Sequence, residues 1–134
     1  MSTQDRDVFT LAANRWSNII TRDVDDILRP PGDYASFCEY SDPSVPLIID
    51  DLYICASTPR IDGAGRVLGR AGPFLVRTQD GLPVAASMEF DSADLAQLRR
   101  DGKLYDVILH EMGEYVALCS CGQVRTETFS FSPA

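Results

Sequence analysis

The sequence has a single histidine, His110, and fewer basic than acidic residues, with 12 Lys and Arg against 20 Asp and Glu. The net charge of −8 argues against a nucleic-acid or anionic-membrane surface, because both are bound by clustered Lys and Arg. No apolar run is long enough to cross a membrane. The first seven residues are polar, so no secretory signal is expected in the chain as given, and the compartment stays unknown.

Length and composition indicate one globular domain. A chain of 134 residues with 45% hydrophobic content is sufficient for a single modest core. Four cysteines are present, Cys38, Cys55, Cys119 and Cys121, and their spacing is not that of a zinc ribbon. A disulfide between Cys38 and Cys55 and a set of buried free thiols are both compatible with the sequence.

Hydrophobic periodicity predicts an α+β fold. The segment Asp5–Thr21 is expected to form a helix, because its apolar residues recur at helical spacing. The segments Leu47–Ala56 and Pro83–Phe90 are expected to form strands, and the opening proline favours an edge position for the second. The glycine pair in Arg60–Gly65 predicts a hairpin turn, and a further strand is expected within Val67–Thr78.

One stretch carries candidate chemistry. Residues Leu104–Leu118 are expected to form a helix that contains His110-Glu111-x-x-Glu114. The H-E-x-x-H motif places two zinc-binding histidines four residues apart on one helix face, and its glutamate acts as general base toward the metal-bound water. Here Glu114 takes the place of the second histidine. On a helical wheel, His110 and Glu114 lie opposite an apolar face, an arrangement typical of a metal cleft and equally of an ordinary solvent face. That apolar face consists of Leu104, Tyr105, Ile108, Met112, Tyr115 and Val116.

Across residues 8 to 113, an ordered set of short motifs resembles leishmanolysin-like zinc metallopeptidases, which are metzincins. The resemblance implies that His110 is the first zinc ligand and Glu111 the general base. The family has histidine at the position of Glu114, and the metzincin pattern has glycine at the position of Ala117. The motifs are Phe9 to Trp16 with Ile19-Ile20-Thr21, Ile49-Asp50-Asp51-Leu52, Ile61-Asp62-Gly63, Leu68 to Pro73, Met88-Glu89-Phe90-Asp91, and Val107 to Gly113.

The resemblance also implies an architecture. It predicts the N-terminal subdomain of a metzincin in residues 1–118, a mixed twisted sheet with a long N-terminal helix and an active-site helix, followed by a divergent tail in residues 119–134. An edge strand would line the cleft that receives an extended peptide, and Pro83–Phe90 is the candidate for it. In the family, the third zinc ligand and the methionine turn lie further downstream than this chain extends.

The function implied by the resemblance is that of a zinc metalloendopeptidase, in which zinc-activated water attacks a bond of a peptide or protein substrate. His110 and Glu114 are the candidate zinc ligands, and Cys119 or Cys121 is a further possibility for a third. With two ligands, zinc affinity and activity are expected to be impaired or absent. The alternatives are a non-catalytic relic or protein-binding module that retains the half-fold, and a fragment whose C-terminus is unnatural, for example after a shifted reading frame.

Overall fold

The computed structural model describes residues 1–20, 24–28, 48–116 and 129–131, and it has a mixed α+β architecture. The class expected from the periodicity is therefore confirmed. No helix in these ranges is long and apolar enough to cross a membrane. The elements in chain order are α1 (Thr3–Ser17), β1 (Ile27–Leu28), β2 (Ile48–Ile49), β3 (Tyr53–Ser57), β4 (Gly69–Val76), β5 (Pro83–Phe90), α2 (Leu95–Arg100), α3 (Leu104–Val116) and β6 (Phe129–Phe131).

Helix α1 begins two residues before the expected Asp5 and ends four residues before the expected Thr21. The early start follows from a capping box, in which the Asp5 backbone N–H donates to Ser2 Oγ and the Ser2 backbone N–H donates to the Asp5 carboxylate. Arg99 also donates to Asp5 at 3.0 Å, and this ion pair connects the first turn of α1 to the end of α2.

The main sheet contains four strands in the order β4-β5-β3-β6. Strand β5 lies between β4, to which it is antiparallel, and β3, to which it is parallel. The prediction of an edge position for Pro83–Phe90 is therefore wrong, and among the described strands β4 is the outermost on that side. Pro83 does not prevent a central position, because a proline at the first residue of a strand removes few ladder hydrogen bonds. Six of the eight β5 residues are buried, as expected of a strand covered on both faces.

The segment Arg60–Gly65 belongs to a crossover loop rather than a hairpin, because the strands it connects, β3 and β4, are separated by β5. Buried carboxylates fix this loop. Asp91 Oδ2 accepts three successive backbone N–H groups, those of residues 61, 62 and 63, at 3.2, 2.8 and 2.8 Å. Asp94 Oδ1 accepts the Gly65 N–H at 2.7 Å. The glycine pair that suggested a hairpin supplies the positive φ angles of 91° and 80° that the loop needs.

The single strand expected over Leu47–Ala56 is divided into β2 and β3. Asp51 lies between them with a φ of 66°, outside the strand region, and its buried carboxylate accepts the Val24 N–H at 3.0 Å. The buried guanidinium of Arg77 donates to the backbone carbonyls of Asp51, Pro83 and Asp25. Asp51 therefore lies at the point where the β1–β2 ribbon is attached to the main sheet.

The two faces of the main sheet are packed against different groups. The helices cover one face, and the core between them includes Phe9 of α1 and Phe90 of β5, whose rings meet edge to face at a centroid distance of 5.3 Å. On the other face, Tyr53, Cys55 and Ala85 belong to a smaller apolar cluster. Cys55 is disulfide-bonded, and its partner cysteine lies outside the described residues.

Candidate functional site

Helix α3 spans Leu104–Val116 and carries all three candidate site residues. It separates apolar from polar positions as the helical wheel predicts. Leu104, Ile108 and Met112 are 3% exposed or less and face the core, whereas His110 and Glu114 lie on the outer side. The side chains of Tyr115 and Val116 are outside the described set, so their expected place on the apolar face is untested.

His110 and Glu114 form the most solvent-exposed part of the site. Their side chains are 73% and 64% exposed, and His110 Nε2 lies 3.8 Å from Glu114 Oε1. Two donors that bind one tetrahedral zinc ion at about 2.0–2.1 Å each are separated by about 3.4 Å. A small rotation of either exposed side chain therefore brings both donors within reach of one ion, and the helical i, i+4 spacing provides this geometry.

Glu111 points in a different direction, toward the sheet. Its side chain is half-buried, and its Cγ lies beside the backbone of Gly69, the first residue of β4. Burial is the main influence on this carboxyl and raises the pKa of Glu111, while His110 lowers it and the negative charge of Glu114 raises it. A raised pKa gives a carboxylate more affinity for a proton at neutral pH, which is the property required of a general base.

Trp16 of α1 packs against the turn of α3 between Leu109 and Gly113, on its core-facing side. Its indole Nε1–H donates to the Leu109 carbonyl at 3.1 Å. Its ring passes so close to Gly113 that a Cβ there would lie 3.1 Å from Cζ2. Because Leu109 and Gly113 immediately precede His110 and Glu114, this contact fixes the turn that presents the two outward side chains.

The structure thus brings His110 and Glu114 together and places Glu111 on the adjoining face, toward β4. In the described ranges, no group of three or more His, Cys, Asp or Glu side chains is arranged to hold a metal ion. The possible third ligands Cys119 and Cys121, and Ala117 at the metzincin glycine position, lie outside those ranges.

Sequence reasoning missed two residues that shape this site, Gly69 and Trp16. Trp16 has a signal in its indole N–H, since an indole that packs against the core usually finds an acceptor. Gly69 gave no comparable signal, because its importance depends on which strand lies under α3.

Comparisons with protein-family models, with curated proteins and with solved structures return no match for this chain.

Proposed function

We propose that this chain carries the N-terminal half of a metzincin-type zinc endopeptidase of the leishmanolysin kind. In this proposal His110 is the first zinc ligand, Glu111 is the general base, and β4, rather than Pro83–Phe90, is the strand beside which a peptide or protein substrate lies. The observation that carries the proposal is the relation between α3 and β4. The half-buried side chain of Glu111 lies with its Cγ beside Gly69 of β4, the outermost described strand on that side, while its neighbour His110 projects from the helix into solvent.

The donor set limits what the chain does by itself. A catalytic zinc ion takes three protein ligands and keeps one position open for water. The described residues offer two donors, His110 and Glu114, and so do not fit a complete catalytic zinc site. We therefore expect weak zinc binding together with weak or absent peptidase activity.

The part that Glu111 would take follows from its own surroundings. A general base must accept a proton and later release it, and partial burial next to a carboxylate increases the proton affinity of Glu111. The electrostatic influence of His110 acts in the opposite direction, lowers the pKa of Glu111 and favours its ionised form. The two neighbours at positions 110 and 114 therefore tune the base as well as offering metal donors.

Zinc titration of the purified chain by calorimetry tests the proposal, with His110→Ala and Glu114→Ala as loss variants and Glu114→His as the gain variant. We expect weak one-to-one binding that both alanine variants lose, and tighter binding by Glu114→His because it supplies the second histidine of the motif. If the unmodified chain and Glu114→His bind zinc no better than His110→Ala, the metal-site proposal is wrong.

A peptidase assay then separates binding from chemistry. Glu114→His is the variant most suited to it, with Glu111→Gln in the same background as the matched control. Zinc-dependent cleavage that disappears with Glu111→Gln would support the role of base. Cleavage that is unaffected by Glu111→Gln would contradict that role.

A second candidate is a non-catalytic protein-binding module that retains the half-fold. The observation in its favour is the same set of two donors, because a metal site with two donors does not support catalysis, while the fold and the outer strand β4 are still able to bind a peptide. This alternative predicts peptide binding whose affinity is unchanged by zinc, by a chelator and by Glu111→Gln. Peptide affinity measured with zinc, with a chelator and with Glu111→Gln therefore tests this alternative, because a zinc-dependent affinity would contradict it.

A further inference from the structure

The first residue of β4, Gly69, lies at a point where three elements meet. It is opposite Phe90 in the antiparallel pair of β4 and β5, and α3 passes over it. A Cβ built on Gly69 would lie 2.9 Å from two ring carbons of Phe90 and 3.4 Å from Cγ of Glu111. The absence of a side chain therefore leaves a notch that is filled by the Phe90 ring on one side and the Glu111 stem on the other.

The Phe90 ring has little freedom to move away from an added methyl group. It is completely buried, and it packs edge to face against Phe9 with an interplanar angle of 77°. Real Cβ atoms do not approach other heavy atoms as closely as 2.9 Å. Since the close-packed core resists displacement of the ring, a methyl group at position 69 must instead move the start of β4.

Displacement of β4 removes the surface on which Glu111 rests. We infer that Gly69 is a positioning residue for Glu111. Because Gly69 has no side chain, the stem of Glu111 can lie against β4, the outermost described strand on that side, and this contact fixes the position of the Glu111 carboxylate. That the positioned group is a catalytic base rests on the proposed function. The placement of Glu111 by Gly69 does not depend on the proposed function, and this placement is tested without zinc or substrate.

The test compares Gly69→Ala with Gly72→Ala in the full chain. Gly72 lies three residues further along the same strand, and a Cβ there meets no atom within 4 Å, so it controls for adding a methyl group to β4. The measurement is the rate at which each carboxyl group is modified by a carbodiimide and an amine, read by mass spectrometry of peptides. Two carboxyls serve as references, the exposed Glu114 and the completely buried Asp91.

We expect the modification of Glu111 to become several-fold faster in Gly69→Ala and to stay at the unmodified rate in Gly72→Ala. Glu114 should react equally fast in all chains, and Asp91 should stay protected, which shows that the chains are folded. A general loosening of the fold would instead release Asp91 together with Glu111. An unchanged Glu111 rate in a folded Gly69→Ala chain overturns the inference.

A measurement on the unmodified chain covers the case in which Gly69→Ala does not fold. The packing predicts nuclear Overhauser contacts between the Gly69 Hα protons and the Glu111 Hγ protons, and their absence overturns the inference. Failure of the zinc titration would leave these contacts and the carboxyl rates as they are, so the two proposals fail separately.

Discussion

Replacing Gly113 with alanine sets two effects of similar size against each other. Gly113 lies inside α3, where alanine is favoured over glycine by about 0.8–1.0 kcal/mol. The new methyl group would, however, lie 3.1 Å from Cζ2 of Trp16. Overpacking of this kind costs about 1–3 kcal/mol. The sign of the net effect therefore depends on whether the indole ring can move.

The indole ring is restrained because its N–H donates to the Leu109 carbonyl of the same helix. Moving the ring by a few tenths of an ångström lengthens that hydrogen bond, which has a net value of about 0.5–1.5 kcal/mol. We therefore expect Gly113→Ala to destabilise the chain by about 1 kcal/mol. For a chain of this length, that corresponds to a fall in Tm of about 3–5 °C.

A double-mutant cycle with Trp16→Leu isolates the contact. In the Trp16→Leu background the steric cost is gone, and Gly113→Ala should stabilise the chain by about 1 kcal/mol through helix propensity alone. The cycle thus predicts a coupling energy of about 2 kcal/mol. Urea unfolding followed by circular dichroism is the suitable assay, because Trp16→Leu removes the only tryptophan. Equal effects of Gly113→Ala in both backgrounds would refute the reasoning.

Three further predictions concern stability. The pKa of Asp91 is lowered in the folded chain, chiefly by the hydrogen bond from the backbone N–H of Ala93. The ionised Asp91 carboxylate therefore stabilises the fold above its unfolded-state pKa, and this stabilisation is lost as the pH falls through its folded-state pKa. Asp91→Asn should flatten the pH dependence of urea unfolding in that acidic window. The pKa of Glu111 is raised in the folded chain, so its contribution to folding stability is fully present below its unfolded-state pKa and is lost as the pH rises through its folded-state pKa. Glu111→Gln should therefore leave the chain slightly more stable at neutral pH. An equal or lower Tm at neutral pH would contradict this. Phe90→Ala should cost about 3–5 kcal/mol in urea unfolding, because the ring is completely buried.

The helices were the most predictable part of the fold. A helix buries one face, and the 3.6-residue period of the apolar side chains in α1 and α3 is visible in the sequence alone. The outward position of His110 and Glu114 follows from the same period, since residues four apart share a face. The start of α1 was less predictable, because it depends on Ser2 as a cap rather than on the apolar pattern.

The order of the strands was not predictable from local pattern. A strand records in its sequence how far it is buried, but not which strand is its neighbour, and Pro83 was therefore given too much weight as a sign of an edge. The role of Asp91 in fixing the crossover loop was missed for the same reason. Its hydrogen bonds to residues 61–63 cross 28 to 30 positions of sequence, and they exist because β5 brings Asp91 next to the crossover loop. The Gly69–Glu111 contact likewise depends on sheet order.

Position 114 links the metal question to the base. With glutamate there, its negative charge raises the proton affinity of Glu111, while its carboxylate is the only described partner for His110 on that face. Histidine at the same position would remove that charge and add a neutral zinc donor at the spacing the motif requires. One substitution therefore acts on metal affinity and on the base together, without touching the contacts that hold α3 against Trp16 and Gly69. For this reason Glu114→His tests the proposed metal site more directly than any loss variant, because it changes one of the two described donors and leaves the packing of α3 in place.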